Sequence, residues 1–163
     1  MTLPYRSPGR WLVRFAAGGF GAGLLPWAPG TFGTLAAVPV YLLLRETGPI
    51  FYAVTVAFLF TIGVWICGIA GRDIGDDAPS IVWDEIVGFL IAMFMVPTAW
   101  QWIVAGFVLF RIFDIVKPPP IRTVERRIHG GLGCMLDDAL AGLVVLIILH
   151  GAAYYLSGNW QMN

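Results

Sequence analysis

The chain has 163 residues, of which 58% are hydrophobic and only 12% charged, with a formal net charge of zero. Soluble domains carry about 25% charged residues, so the composition points to a lipid bilayer, and the balanced charge excludes the basic field of a nucleic-acid binder. Two cysteines, Cys67 and Cys134, are too few for a disulfide framework and read as unpaired thiols.

The N-terminus, "MTLPYRSPGRWLVRFAAGG", has no long apolar core before a small-residue cleavage site and so does not read as a secretory signal. Its arginines interleave with Trp, Val and Phe. Two readings stand: a short amphipathic helix on the membrane surface, with Arg6, Arg10 and Arg14 near headgroups, or a partly ordered tail.

Four apolar regions follow. Residues 34–44 are short and broken by Pro39. Residues 49–70 are long enough to span. Residues 86–113 are too long for one span, and "MVPTAWQW" around Pro97 predicts a turn between helices 84–96 and 98–116. Residues 140–156 form the last. A full span takes about 20 apolar residues, so the shorter pieces are expected to tilt, to thin the bilayer or to be re-entrant. The expected fold class is all-α: a polytopic helical membrane protein of one domain over residues 1–163. It has about five membrane-embedded helices plus the amphipathic N-terminal helix, and Trp100 and Trp102 belong to an interfacial belt.

Basic residues set the expected orientation. Arg6, Arg10, Arg14, Arg72, Arg111, Lys117, Arg122, Arg126 and Arg127 fall on one side and only Arg45 on the other. Excess Lys and Arg marks the cytoplasmic face.

The acids sort more sharply still. Of ten, only Glu46 lies outside residues 73–138. Asp84 and Glu85 open "DEIVGFLIAM", and Asp137 and Asp138 precede "ALAGLVVLIIL". One acid at a helix start is a cap or a dipole partner. Two adjacent acids point about 100° apart on a helix, so one can cap while the other faces the bundle. Asp114 lies near a helix C-terminus, where a negative charge opposes the dipole. It is either the centre of an Arg111–Asp114–Lys117 surface ladder or a ligand flanked by two phosphate hooks. Intramembrane charges cost about 2.5–3.5 kcal/mol each on insertion scales and are usually paired or functional.

Carboxylates without a His or Cys cluster suit Mg²⁺ rather than zinc or iron. His129 and His150 read as bystanders. For phosphate, Gly30 and Thr31 in "APGTFGT" stand at a helix entrance, where backbone N–H groups hold anions or where Thr merely caps a turn. "HGGLG" is either a flexible connection or a point where backbone approaches a headgroup. "KPPPIR" ends a helix sharply and holds Lys117 and Arg122 outside regular helix geometry.

Three stretches taken together resemble the phosphatidylglycerophosphatase A family: "GFGAGLLPWAPGTFGTLAAVP", "DDAPSIVWDEIVGF" and "FRIFDIVKPPPIRTVERRIHGGLGCMLDDALAGL". The resemblance implies a Mg²⁺-dependent phosphatase of the bacterial inner membrane, all-helical, with its site facing the cytoplasm. It would convert phosphatidylglycerophosphate to phosphatidylglycerol. Matching the family's motifs places its acidic positions at Asp77, Asp84, Glu85, Asp114, Asp137 and Asp138 and its basic positions at Arg111 and Lys117. The expected metal ligands are Glu85, Asp114 and Asp138, with Asp77. Asp84, Asp137 and Asp138 are the expected catalytic acids, with Asp84 or Asp137 orienting the attacking water. The expected substrate contacts are Arg111, Lys117, Thr31, Gly30 and Arg122. The D-x-D-x-[TV] stretch of an aspartyl-phosphate enzyme is absent, which favours activated water over a covalent intermediate.

Three rivals remain: another metal-dependent membrane lipid phosphatase, a CDP-alcohol phosphotransferase and a cation transporter. The second needs D-G-x-x-A-R, which is absent. The third would place acids near mid-bilayer on broken helices, whereas here they gather at helix ends.

Overall fold

The computed structural model describes residues 8–75 and 78–160, so Arg6 and Asp77 lie outside the described residues. Seven α-helices run in order: α1 Pro8–Ala17, α2 Pro29–Leu44, α3 Pro49–Ile74, α4 Trp83–Ala92, α5 Trp100–Val116, α6 Ile121–Arg127 and α7 Gly130–Trp160. Short 3₁₀ turns at Gly19–Leu24 and Arg45–Thr47 join them, and there is no strand among the described residues.

Two helices are long and apolar enough to cross a membrane, α3 and the Gly130–Leu156 part of α7. α4, at ten residues, is about 15 Å long and cannot cross a hydrocarbon core of about 30 Å. Of the five expected membrane-embedded helices, two therefore have spanning length, while α2, α4 and α5 pack beside them as shorter apolar rods.

Several expected boundaries move. α2 begins at Pro29, not at residue 34, and runs through Pro39. Thr34 Oγ1 donates to the Gly30 carbonyl one turn back, and Pro39 is exposed, so its missing N–H disturbs no buried contact. α4 ends at Ala92, four residues early. Met95 then takes a positive φ of 55° before Pro97. α7 begins ten residues before its apolar run, because "GGLG" of "HGGLG" is helix. Asp137 and Asp138 consequently sit in the third turn of α7 and cap nothing.

Contacts give the directions. Gly30 lies against Glu85 and Gly33 against Val82, while the Tyr41 and Phe89 rings meet at 6.4 Å, so α2 and α4 run the same way. Gly88 lies against Asp138 and Gly142 against Gly88, so α7 runs with them. Gly63 lies against Met135 and Gly131 against Gly68, so α3 opposes α7. Gly88 against Phe110 and Gly106 against Met93 set α5 against α4. The N-terminal ends of α2 and α4, the first turns of α7 and the C-terminal ends of α3 and α5 thus gather at one end of the bundle. Phe89, Phe110, Leu90 and Met93 fill the centre and are fully buried. α3 turns Ile50, Phe51, Val54, Phe58 and Trp65 outward, as a lipid-facing helix does.

α1 docks on the C-terminal end of α3. Arg10 and Arg14 donate to the two oxygens of Asp73, at 2.7 and 3.2 Å. These arginines are held by protein, while Trp11, Leu12 and Phe15 face outward. Beside Asp73, Arg14 is half-buried while Arg10 stays exposed.

Candidate active site

The close approach of α4 and α7 builds the site. A Cβ on Gly142 would overlap the Gly88 carbonyl oxygen, and one on Gly88 would lie 2.7 Å from the Asp138 carbonyl oxygen. Asp84 stands four residues before Gly88, and Asp138 four residues before Gly142. Residues four apart share a helix face. Two parallel helices that touch at their glycines therefore present these two acids to each other, one turn above the crossing.

Ligand-capable oxygens of Asp84, Glu85 and Asp138 all lie within 4.8 Å of one another. Asp84 and Asp138 are 4% and 3% exposed, so three carboxylates crowd where water cannot screen them. Asp84 is fixed at both oxygens: Oδ1 accepts the Glu85 N–H at 3.1 Å and Oδ2 accepts the Cys134 thiol at 2.8 Å. Glu85 Oε2 is buried with no hydrogen-bond partner among the described residues. The guanidinium beside the trio, with Arg111 Nη1 3.8 Å from Glu85 Oε1, is already bonded to Asp114 at 2.5 Å. Burial pushes the Glu85 carboxyl well above the ordinary range, and the charges of Asp84 and Asp114 add to it, with Arg111 opposing. Burial also raises Asp84, against the pull of its hydrogen bonds to Glu85 and Cys134.

This donor set fits a small hard divalent cation. Its atoms are carboxylate oxygens from two helices, one of them orphaned, with no imidazole or thiolate among them. Mg²⁺ favours such oxygens and retains waters for a substrate phosphate.

A cavity of about 280 Å³ opens beside the trio, lined by Gly30 and Pro29 of α2, Ala78 and Ile81 of the α3–α4 loop, Glu85, and Arg111, Asp114 and Lys117. Gly30 lies directly under these side chains: a Cβ there would overlap Glu85 Oε1 and lie 2.9 Å from Arg111 Nη1, so both side-chain ends would have to shift. The first turn of α2 faces the cavity, where helix N–H groups and dipole favour an anion. Thr31 is half-buried in that turn.

The Arg111–Asp114–Lys117 ladder forms only in its first half. Lys117 takes a left-handed φ of 45°, which ends α5 and swings its side chain toward α7. There Nζ donates to Asp137 Oδ2 at 2.5 Å and to Glu125 Oε1 at 2.9 Å. Each cation of the site is thus held by a carboxylate. Asp114 stands beside the trio as the partner of Arg111. Arg122 is exposed within α6 and donates to the Val116 carbonyl at the end of α5, away from the cavity lining; the prolines release it into a helix rather than an irregular strand.

Sequence reasoning gave no role to Cys134 or Glu125. Cys134 is four residues before Asp138, so a helix start at Gly130 would have put them on one face. Nothing in the sequence marked Glu125 as the partner of Lys117 across a three-proline turn.

A family profile described as Phosphatidylglycerophosphatase A matches residues 15–153. Phosphatidylglycerophosphatase A of Escherichia coli K12 is 44% identical over 147 residues, covering 89% of this chain and 83% of the relative. The Haemophilus influenzae protein of the same name is 40% identical over 147 residues, covering 88% and 90%. No solved structure matches the chain significantly. With the profile spanning nearly all of its length and two such relatives, the chain belongs to the phosphatidylglycerophosphatase A family of phosphatases.

Proposed function

We propose that this chain hydrolyses the terminal phosphomonoester of phosphatidylglycerophosphate to phosphatidylglycerol and phosphate, in phospholipid biosynthesis, with Mg²⁺ as cofactor. Its setting in this reading is the bacterial inner membrane, with the carboxylate end of the bundle in the cytoplasm. The names of the relatives support the substrate. The clustering of all described basic residues but Arg45 at that end supports the orientation.

The observation that carries the reading is the convergence of Asp84, Glu85 and Asp138 beside an Arg- and Lys-lined cavity. Asp84, Glu85 and Asp138 would hold the ion. When bound, it offsets the crowded carboxylates and the charge that develops on the transferring phosphoryl group. Arg111 and Lys117 take the phosphate oxygens, and the first turn of α2 offers the Gly30 backbone N–H and the Thr31 hydroxyl to the same group, the Thr31 N–H being held by the Ala28 carbonyl. Asp114 and Asp137 keep those two cations aimed. Asp138 accepts no hydrogen bond from a described side chain, whereas Asp84 is fixed by Cys134 and Asp137 by Lys117. We therefore assign the proton of the attacking water to the Asp138 carboxylate. Water attacks phosphorus, the bond to the glycerol oxygen breaks, and that oxygen takes up the proton that Asp138 received from the water. The apolar faces of α3 and α7 keep the acyl chains in the bilayer, so only the headgroup enters.

The test is phosphate release from phosphatidylglycerophosphate by the purified protein in detergent. Release that needs Mg²⁺ and stops on chelation supports the reading. Absence of metal-dependent release from this lipid overturns it.

A further inference from the structure

Cys134 lies outside every role assigned above, yet it touches the centre of the site. α3 and α7 approach so closely that a Cβ on Gly131 would overlap the Val64 carbonyl oxygen and lie 2.8 Å from the Gly68 Cα. That contact seals one side of α7 and buries Cys134 at 8% exposure. Its thiol sits between α3 and α4 and donates to Asp84 Oδ2 at 2.8 Å. Asp84 Oδ1 is taken by the Glu85 N–H, so the two donors together fix the carboxylate plane. Cys134 and Asp138 stand one turn apart on α7. One helix face thus supplies an acid of the trio and the donor that aims another.

We infer that Cys134 is a positioning residue for the divalent cation: its thiol holds Asp84 in the orientation that the carboxylate trio requires. This rests on the metal-dependent reading proposed above. The chemistry of the donor matters. A thiol is a weak donor, so it orients the carboxylate while leaving most of its charge for the ion. A lysine or arginine here would neutralise Asp84 and compete with the cation. An aliphatic side chain would leave Asp84 Oδ2 buried without a donor and free to rotate. Cys67 lies against the Cys134 thiol, with its own sulfur 4.0 Å from that of Met135, so the comparison of alanine with serine at Cys134 itself separates donation to Asp84 from packing of the sulfurs.

Mn²⁺ serves as the probe, because its binding is read by electron paramagnetic resonance without substrate. The comparison uses the full chain in detergent as wild type, Cys134→Ala and Cys134→Ser, each checked for helical content and thermal midpoint. Cys134→Ala is expected to weaken Mn²⁺ binding about tenfold and to raise the Mg²⁺ concentration for half-maximal phosphate release by the same factor. KM for the lipid should stay unchanged. Cys134→Ser retains a donor and should restore binding to within about threefold. Equal Mn²⁺ affinity in wild type and Cys134→Ala overturns the inference while leaving the metal site standing. Equal weakening in Cys134→Ser and Cys134→Ala also overturns it, because packing rather than donation would then be at stake. A wild-type chain that binds no Mn²⁺ overturns both this inference and the reading beneath it.

Discussion

Gly142 of α7 lies so close to Gly88 of α4 that neither position has room for a methyl group. This contact is the hinge between fold and chemistry, because each glycine sits one turn beyond an acid of the trio. Gly142→Ala would push the Gly88 carbonyl and the α4 backbone away. Overpacking of this kind costs about 1–3 kcal/mol. Separation of the helices should cost activity more than stability. We expect at least a tenfold fall in phosphate release, with helical content retained by circular dichroism. A fully active Gly142→Ala variant would show that the crossing does not set the acids.

Asp138→Asn keeps the shape of the side chain and removes its charge and basicity. Turnover should fall by about 100-fold or more, in the range of lost acid–base catalysis. Folding and membrane insertion should be unchanged, as judged by detergent-solubilised yield and thermal midpoint. Unchanged turnover removes Asp138 from the site.

Lys117 binds Asp137 and is also aimed at the phosphate cavity. Lys117→Ala should raise KM for the lipid several-fold. It should also cost stability, since breaking a buried ion pair from one side removes about 3–5 kcal/mol at most, less here because the lysine is partly exposed. The double variant Lys117→Ala with Asp137→Asn separates the two effects. It should recover stability and leave KM high. Recovery of KM as well would make the pair purely structural.

Arg122 is expected from sequence to contact substrate, yet it lies exposed in α6 and donates to the Val116 carbonyl at the end of α5, away from the cavity lining. Arg122→Ala should therefore change kcat/KM less than twofold, and stability by no more than about 0.5 kcal/mol, as for most surface substitutions. A tenfold loss of kcat/KM would return Arg122 to the binding site.

Acidity gives a fifth check. Burial raises the Asp84 and Glu85 carboxyls, so the metal-free native state holds more protons than the unfolded chain once pH exceeds the ordinary carboxyl range near about 4. Stability then falls as pH rises through that range toward the raised values, because the slope follows protons bound in the unfolded state minus those in the native state. A cation displaces the protons, so Mg²⁺ binding should tighten with pH and level off once both groups ionise. Thermal midpoints with and without Mg²⁺ from pH 5 to 8 measure this. A Mg²⁺ stabilisation independent of pH would contradict the crowded-carboxylate account.

Helix identity was legible where composition alone decides it. Residues 49–70 are apolar throughout and became the core of α3, and Pro97 did separate α4 from α5. The start of α7 was not legible. Gly130, Gly131 and Gly133 read as a flexible connection because glycine disfavours helix locally, yet Gly131 admits the close packing of α3 and Gly133 that of the Ile128 backbone, and tertiary contact outweighs propensity. The acids were found from their gathering near helix starts. Their division into a close carboxylate trio and two partners of Arg111 and Lys117 depends on the left-handed backbone at Lys117 and on the direction in which α4 and α7 cross. Neither is written in residue spacing.

The most direct measurement is the anomalous scattering of Mn²⁺ in crystals of the purified protein. A single ion bonded to carboxylate oxygens of Asp84, Glu85 and Asp138, at about 2.1 Å, is the predicted result. An ion bound elsewhere, with these three side chains turned away from it, would contradict the account.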